Sequence, residues 1–331
     1  AFNRRGEALY RRSLNAQVTL TIFTVIILAF EIAPLITPFI HLFTFFAIAM
    51  MCHGRLAQLK PSTHHLTEFY LWISVGGVLG GFFNGIIAPS LFTNIIEYPM
   101  VLILACLLRP ASDTTISSKA RIMDILWPVG LFGLIFLLIT ALKHFYELTP
   151  ETVDTITAWL KETMNNDDID HTHLAAAIIF IPMVIAIYTF YRRPLRFTLG
   201  LAAIALLAPL VMTKSTEIVF QERNFFGTLK VLDNPEMQIR RFYHGTTLHG
   251  AQFYDHPKTL TPITYYKTVK DVFDHVPANT HIAAIGIGAG LITCHGKEGQ
   301  PLDFYEINPD VIKVAKDRRF FTYLSDCPPT V

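Results

Sequence analysis

Charge is scarce in this chain. Asp, Glu, Lys and Arg make up 16% of its 331 residues, against 52% hydrophobic residues and a mean hydropathy of +0.40. Soluble proteins carry roughly 25% charged residues, so a protein bathed in water along its whole length is excluded. The net charge of +1 argues neither for nor against a polyanion, and no motif points to nucleic acid as a partner. Cysteine is sparse too. Cys52, Cys106, Cys294 and Cys327 show no metal spacing and no disulfide framework. Cys52 and Cys106 lie in apolar segments and read as packing residues.

What the chain has in quantity is long apolar sequence. Segments able to span a bilayer, or nearly so, fall at about 17–34, 37–54, 66–88, 92–108, 122–142, 173–190 and 195–213. The first two share one block, split by Glu31, Pro34 and Pro38. The fourth contains Glu97 and Pro99 and reads as a span or as a re-entrant segment. If all seven cross, one side carries Arg4, Arg5, Arg11, Arg12, Arg55, Lys60, Arg109, Lys119, Arg121, Arg192, Arg193 and Arg196. The loops of the other side carry only Lys143 and Lys161. Arginine and lysine mark the cytoplasmic side. An odd count then puts the C-terminal domain outside, and one crossing fewer puts it inside; both readings stay open.

The third segment holds Gly76, Gly77, Gly80, Gly81 and Gly85. Small residues four apart let helices approach closely, so a helix–helix seam is expected, with a substrate path beside Asn84 as the alternative. Two of the three ionisable residues Glu31, His41 and Glu97 adjoin prolines at helix ends, so an interfacial position is expected, with a transport role as the alternative. A helical stretch near Pro150–Met164 precedes the run NNDDIDHTH. Asp167, Asp168, Asp170, His171 and His173 match no strong ligand template, nor do His64, His65 and Glu68, and no metal is expected.

After Lys214 the pattern changes. Phe225 to Leu232 and Gln238 to Tyr243 read as strands joined by the turn Asp233-Asn234-Pro235. The polar stretch HGTTLHGAQFYD and then PITYY follow. Residues 264–275 read as a helix with Tyr266, Val269 and Phe273 on one face. Next comes HIAAIGIGAGLITCHGKEGQPLDFYEINP, residues 281–309. An apolar run ends at Ile285, Gly286, Gly288 and Gly290 alternate, and a second run from Leu302 to Tyr305 ends in Glu306. This order reads as strand, glycine turn, helix, strand and acid, the opening of a nucleoside-binding α/β domain. Glycines let backbone approach the ligand, and a strand-end acid can accept both ribose hydroxyls. Two strands and one or two helices do not close a sheet, so the sequence reads as part of a longer protein.

The run from about 221 to 331 resembles the spermidine/spermine synthase (aminopropyltransferase) family. The whole chain looks like its membrane-embedded bacterial branch. RRFYHGTTLHGAQ, PITYY, GIGAG, FYEINP and RRFFTYLSDCP carry the match, extended into the membrane half by HGRLAQLKPSTHHLTEFYLWISVGGVLGGFFNG and EYPMVLILACLLRP. HGTTLHGAQ and FYEINP are its most specific parts.

The resemblance implies a multi-span helical membrane domain over 1–213, placed in a bacterial inner membrane. A β-hairpin and linker region over 214–280 and the start of a methyltransferase-like Rossmann core over 281–331 would follow. It implies aminopropyl transfer from decarboxylated S-adenosylmethionine to a small amine, without a metal or tightly bound cofactor. Such chemistry asks for alignment and for a base that leaves the amine neutral. By the same resemblance Gln252 touches the donor, Tyr265 or Tyr266 lies near the reacting amine, Gly286, Gly288 and Gly290 form the donor turn, and Glu306 binds the ribose. His244 and His249 are expected to hydrogen-bond within their loop. Two positions depart from the pattern. Ala289 stands where soluble members carry an acid, and Asn308 replaces an aspartate. The alternative is therefore a catalytically inactive scaffold or accessory subunit of a larger membrane complex. The partners expected are the lipid bilayer, a small amine or adenosyl ligand, and other membrane-protein subunits.

Overall fold

The structure, a computed structural model, describes residues 4–30, 35–111, 117–164, 171–211, 216–254, 260–261 and 268–328. The chain divides into two compact units, Ala1–Gly77 with Glu97–Thr213, and Val78–Ile96 with Lys214–Val331.

The first unit is helical. In chain order come α1 (Arg4–Ala29), α2 (Thr37–Gln58) and α3 (Leu66–Phe82). A π-helical turn, Phe83–Ile87, leads from α3 into α4 (Ala88–Leu91); the end of α3 from Val78, the turn and α4 belong to the second unit. Then follow α5 (Glu97–Ala105), extended by a 3-10 turn through Leu108, α6 (Ser118–Leu148), α7 (Pro150–Met164), α8 (His171–Thr189) and α9 (Pro194–Val211). Among the described residues, six helical runs are long and apolar enough to cross a membrane, and Glu97–Leu108 is a shorter apolar one. Many large apolar side chains on these helices point outward, among them Phe43, Trp72, Leu79 and Leu137. In water that arrangement would be unstable; against lipid it is the expected surface.

The core of this unit joins Val18, Ile22 and Val25 of α1 with Ile135 and Ile139 of α6, Met183 and Ile187 of α8, and Leu201, Ile204 and Leu207 of α9. Several polar groups inside it are paired, since lipid offers no substitute for water, although the buried Tyr10 hydroxyl meets no hydrogen-bond partner among the described residues. Gln17 donates to Thr21 Oγ1 at 3.1 Å and to Cys106 Sγ at 3.1 Å. Arg109 donates to Gln17 Oε1 and to the Leu14 carbonyl. Asp124 takes two bonds from Arg193, at 3.0 and 2.6 Å, and a contact from Arg196 at 3.0 Å. Cys106 is buried, as expected of a packing residue. Glu97 is buried as well, at 6% exposure, and the neighbouring Tyr98 hydroxyl meets His41 Nδ1 at 2.6 Å. Glu31 and Asp167 to Asp170 lie outside the described residues.

Among the described residues the glycine seam is not formed. A Cβ added at Gly76, Gly77, Gly80, Gly81 or Gly85 would meet no described atom within 4 Å. Spacing of small residues permits close approach but does not supply a partner. Asn84 spends its amide on the Gly80 carbonyl, at 2.9 Å, inside its own helical run.

The second unit opens with an antiparallel meander, β1 (Glu217–Asn224), β2 (Gly227–Asn234), β3 (Ile239–His244) and β4 (Thr247–Phe253), paired in sequence order. The expected hairpin is β2–β3. Two further strands flank it, and β4 occupies the stretch read as polar and irregular. After α10 (Lys270–His275) come β5 (Ile282–Ile285) and β6 (Leu302–Tyr305), a parallel pair. The chain then forms α11 (Pro309–Lys316) and α12 (Tyr323–Asp326). The described residues contain this two-stranded parallel pair and not a full Rossmann sheet. The expected crossover helix is only a 3-10 turn, Leu291–His295. Leu229, Val231 and Phe242 of the meander share one core with Ile287, Ala289, Leu291, Val314, Phe321 and Tyr323.

Candidate functional site

The site is built where β5 gives way to the glycine turn. The Gly286 N–H reaches the Tyr305 carbonyl at 2.8 Å, extending the parallel ladder by one bond. The backbone then turns through left-handed conformations at Gly286, Gly288 and Gly290, with φ of 88°, 55° and 85°. Side-chain-bearing residues adopt that region only at a cost, so the alternation seen in the sequence is a requirement of this turn.

Glu306 follows β6 and closes the turn from the other side. Its Oε2 accepts the Ile287 N–H at 3.1 Å and its Oε1 accepts the Asn308 N–H at 2.9 Å. The carboxylate is half-buried. A carboxylate has about four acceptor sites, so two backbone bonds leave capacity for a pair of hydroxyls. Asn308 caps α11 through its Oδ1, which takes the Asp310 N–H at 3.1 Å and the Asn224 amide at 2.7 Å. Its Nδ2 is buried without a partner among the described residues.

β4 lies directly against this turn. A Cβ on Gly250 would come within 2.5 Å of Ala289 Cβ and 2.6 Å of Leu291 Cδ1. Ala289 is fully buried. The side chain at the position where the resemblance expects an acid therefore packs into β4.

The next β4 residues are drawn toward α12. Tyr323 is fully buried and donates its hydroxyl to the Ala251 carbonyl at 2.8 Å. Gln252 is buried, and both ends of its amide meet Thr322. His244 places Nε2 2.7 Å from the Phe226 carbonyl, the loop hydrogen bond expected of it. The His249 ring lies 5.7 Å from that of His244. Burial, and then the nearby His244, hold the His249 imidazole below its ordinary range, opposed by Glu306.

The structure thus brings Gly286, Gly288, Gly290, Glu306 and Gln252 into one core region. Tyr265 and Tyr266 lie outside the described residues. Sequence reasoning missed Thr322, the partner of Gln252, and the link between Cys294 and Cys327, which are joined as a disulfide with Cα atoms 4.9 Å apart. That link corrects the expectation of no disulfide. The signal was faint: both cysteines fall in the second unit, and only the packing of the 3-10 turn on α12 brings them together. Compared with known protein families, curated proteins and solved structures, the chain matches none.

Proposed function

We propose that the second unit binds an adenosyl compound on its glycine turn. The reaction it serves is aminopropyl transfer from decarboxylated S-adenosylmethionine to a small amine, at the surface of a bacterial inner membrane. The observation that carries this reading is the position of Glu306. It stands at the end of the second parallel strand, facing the backbone of a left-handed glycine turn, with acceptor capacity to spare. An acid so placed suits the two hydroxyls of a ribose. Gly286, Gly288 and Gly290 would let the ligand approach the backbone. Either Tyr265 or Tyr266 would orient or deprotonate the amine.

Calorimetry with decarboxylated S-adenosylmethionine, S-adenosylmethionine and methylthioadenosine tests the reading on the detergent-purified protein. Binding of the first and third is expected, followed by methylthioadenosine release when an amine is added. A protein that binds none of the three defeats it.

A second reading has its own support. Ala289 is buried against Gly250, so this part of the turn offers no charge to a cationic aminopropyl arm. A domain that keeps the shell but serves as a scaffold or accessory component of a membrane complex fits that feature. Ligand binding without turnover would favour it.

A further inference from the structure

We propose that the glycine-turn unit lies on the non-cytoplasmic face of the membrane, and that the Cys294–Cys327 disulfide is the oxidative clasp of its turn. The proposal holds whether or not the unit is catalytic.

The crossings can be followed contact by contact. α1 and α2 are antiparallel neighbours, and Thr24 Oγ1 meets Thr44 Oγ1 at 2.7 Å. α2 ends near Arg55 and Lys60, where the run Thr63–Leu91 begins. At about 1.5 Å per residue that run is long enough to cross completely. α5 is the ambiguous element. Its first turn meets the beginning of α2 through Tyr98 and His41, 2.6 Å apart. Just past its far end, Arg109 binds the Leu14 carbonyl of α1 at 2.8 Å, where the apolar part of α1 starts after Arg11 and Arg12. These contacts lie toward opposite ends of the apolar part of the α1–α2 pair, and on that ground this short segment counts as a crossing.

α6 starts after Arg109 and crosses. Near its end Tyr146 stacks on His171, the first residue of α8, with ring centroids 4.2 Å apart. α8 returns, because Asp124 near the start of α6 binds Arg193 and Arg196, which flank the beginning of α9. α9 crosses once more, and its last residue, Val211, lines one cavity with His171. With the short segment counted, an odd number of crossings separates the N-terminus from β1 along the chain. The Arg- and Lys-rich turns all fall on the N-terminal side, which is cytoplasmic.

Two independent observations agree. Within the second unit, Gln221 and Arg223 of β1 bond to Thr93 and to the Asn94 carbonyl, at 3.2 and 2.9 Å. Thr93 and Asn94 follow the crossing of α3 and α4, so they lie on the non-cytoplasmic side. The disulfide is the second. Stable disulfides belong to oxidising compartments and are rare in the cytoplasm. Here one ties the segment after Gly290 to the residue after α12, inside the core that holds Ala289 and Tyr323. Forming it removes two electrons and two protons from the two thiols. A disulfide exchange partner accepts them and leaves as a dithiol.

The test uses the unaltered full chain in growing bacteria. Thiols are trapped by acid, the protein is denatured, and a maleimide mass tag is added before or after reduction. Two tags are expected before reduction, on Cys52 and Cys106, and four after. In parallel, a C-terminal alkaline phosphatase fusion, active only when exported, should be active, and a C-terminal green fluorescent protein fusion dark. Four tags without reduction would overturn the clasp. An inactive phosphatase with a bright fluorescent fusion would overturn the placement.

Discussion

One residue satisfies both ends of a buried side chain in this protein. Gln252 Nε2 donates to Thr322 Oγ1 at 2.9 Å, and Gln252 Oε1 accepts the Thr322 N–H at 2.9 Å. The pair fastens β4 to the start of α12. Gln252→Ala would strand a backbone N–H and a hydroxyl, at about 1–3 kcal/mol for a buried group left unsatisfied. The expected outcome is a lower unfolding temperature in differential scanning fluorimetry, with donor affinity falling only in proportion to the unfolded fraction. Lost donor binding at unchanged stability would instead make Gln252 a ligand contact.

Gly250 has no room for a side chain beside Ala289 and Leu291. Gly250→Ala should destabilise by about 1–3 kcal/mol, the usual range for overpacking a core. Adding Ala289→Gly should recover part of that loss, giving a favourable coupling in a double-mutant cycle. Additive effects would mean that β4 and the turn separate easily.

Glu306→Gln exchanges one carboxylate oxygen for an amide that cannot accept a backbone N–H. Binding of methylthioadenosine should weaken roughly tenfold to a hundredfold, the range for hydrogen bonds to a charged group. Unchanged affinity with the fold intact would show that the ribose sits elsewhere.

His249 makes stability depend on pH in one direction. Its folded value lies below the ordinary imidazole value of 6.5, because burial penalises the charged ring. Protonation therefore favours the unfolded chain. Its contribution is full above about pH 6.5 and declines as pH falls from there through the lower folded value. Thermal melts between about pH 5 and pH 8 should show an acid-side loss that His249→Gln reduces. An identical pH profile in the variant would assign the titration to another group.

Asp124 faces Arg193 and Arg196 with only 10–19% side-chain exposure among the three. Asp124→Asn would leave two guanidinium groups without their counter-charge, a loss of about 3–5 kcal/mol for a broken buried pair. Detergent thermal melts should report it. A shift equivalent to less than about 1 kcal/mol would mark the cluster as solvated.

Much of this architecture is legible in the sequence, for local reasons. Asp233-Asn234-Pro235 sets the β2–β3 turn, and the glycine alternation marks the left-handed turn before Glu306. β4 escapes notice because its buried residues are Gly250, Ala251 and Gln252, which lack the apolar alternation of a half-buried strand. They are buried only because Tyr323, Thr322 and Ala289 arrive from more distant sequence. The disulfide depends on the same long-range packing. The glycine stripe of α3 misleads in the opposite way, since its pattern is local and its partner would have to come from elsewhere.

The meander pairs β1 to β4 strictly in chain order, which has a consequence for biogenesis. Each strand finds its neighbour as soon as it emerges, so the ladder needs nothing beyond Phe253. Its inner face is another matter, because Gly250 and Gln252 stay uncovered until the chain has been made past Thr322. A nascent chain halted between these points would carry a complete ladder with an exposed face. It is the species a chaperone would be expected to hold during synthesis.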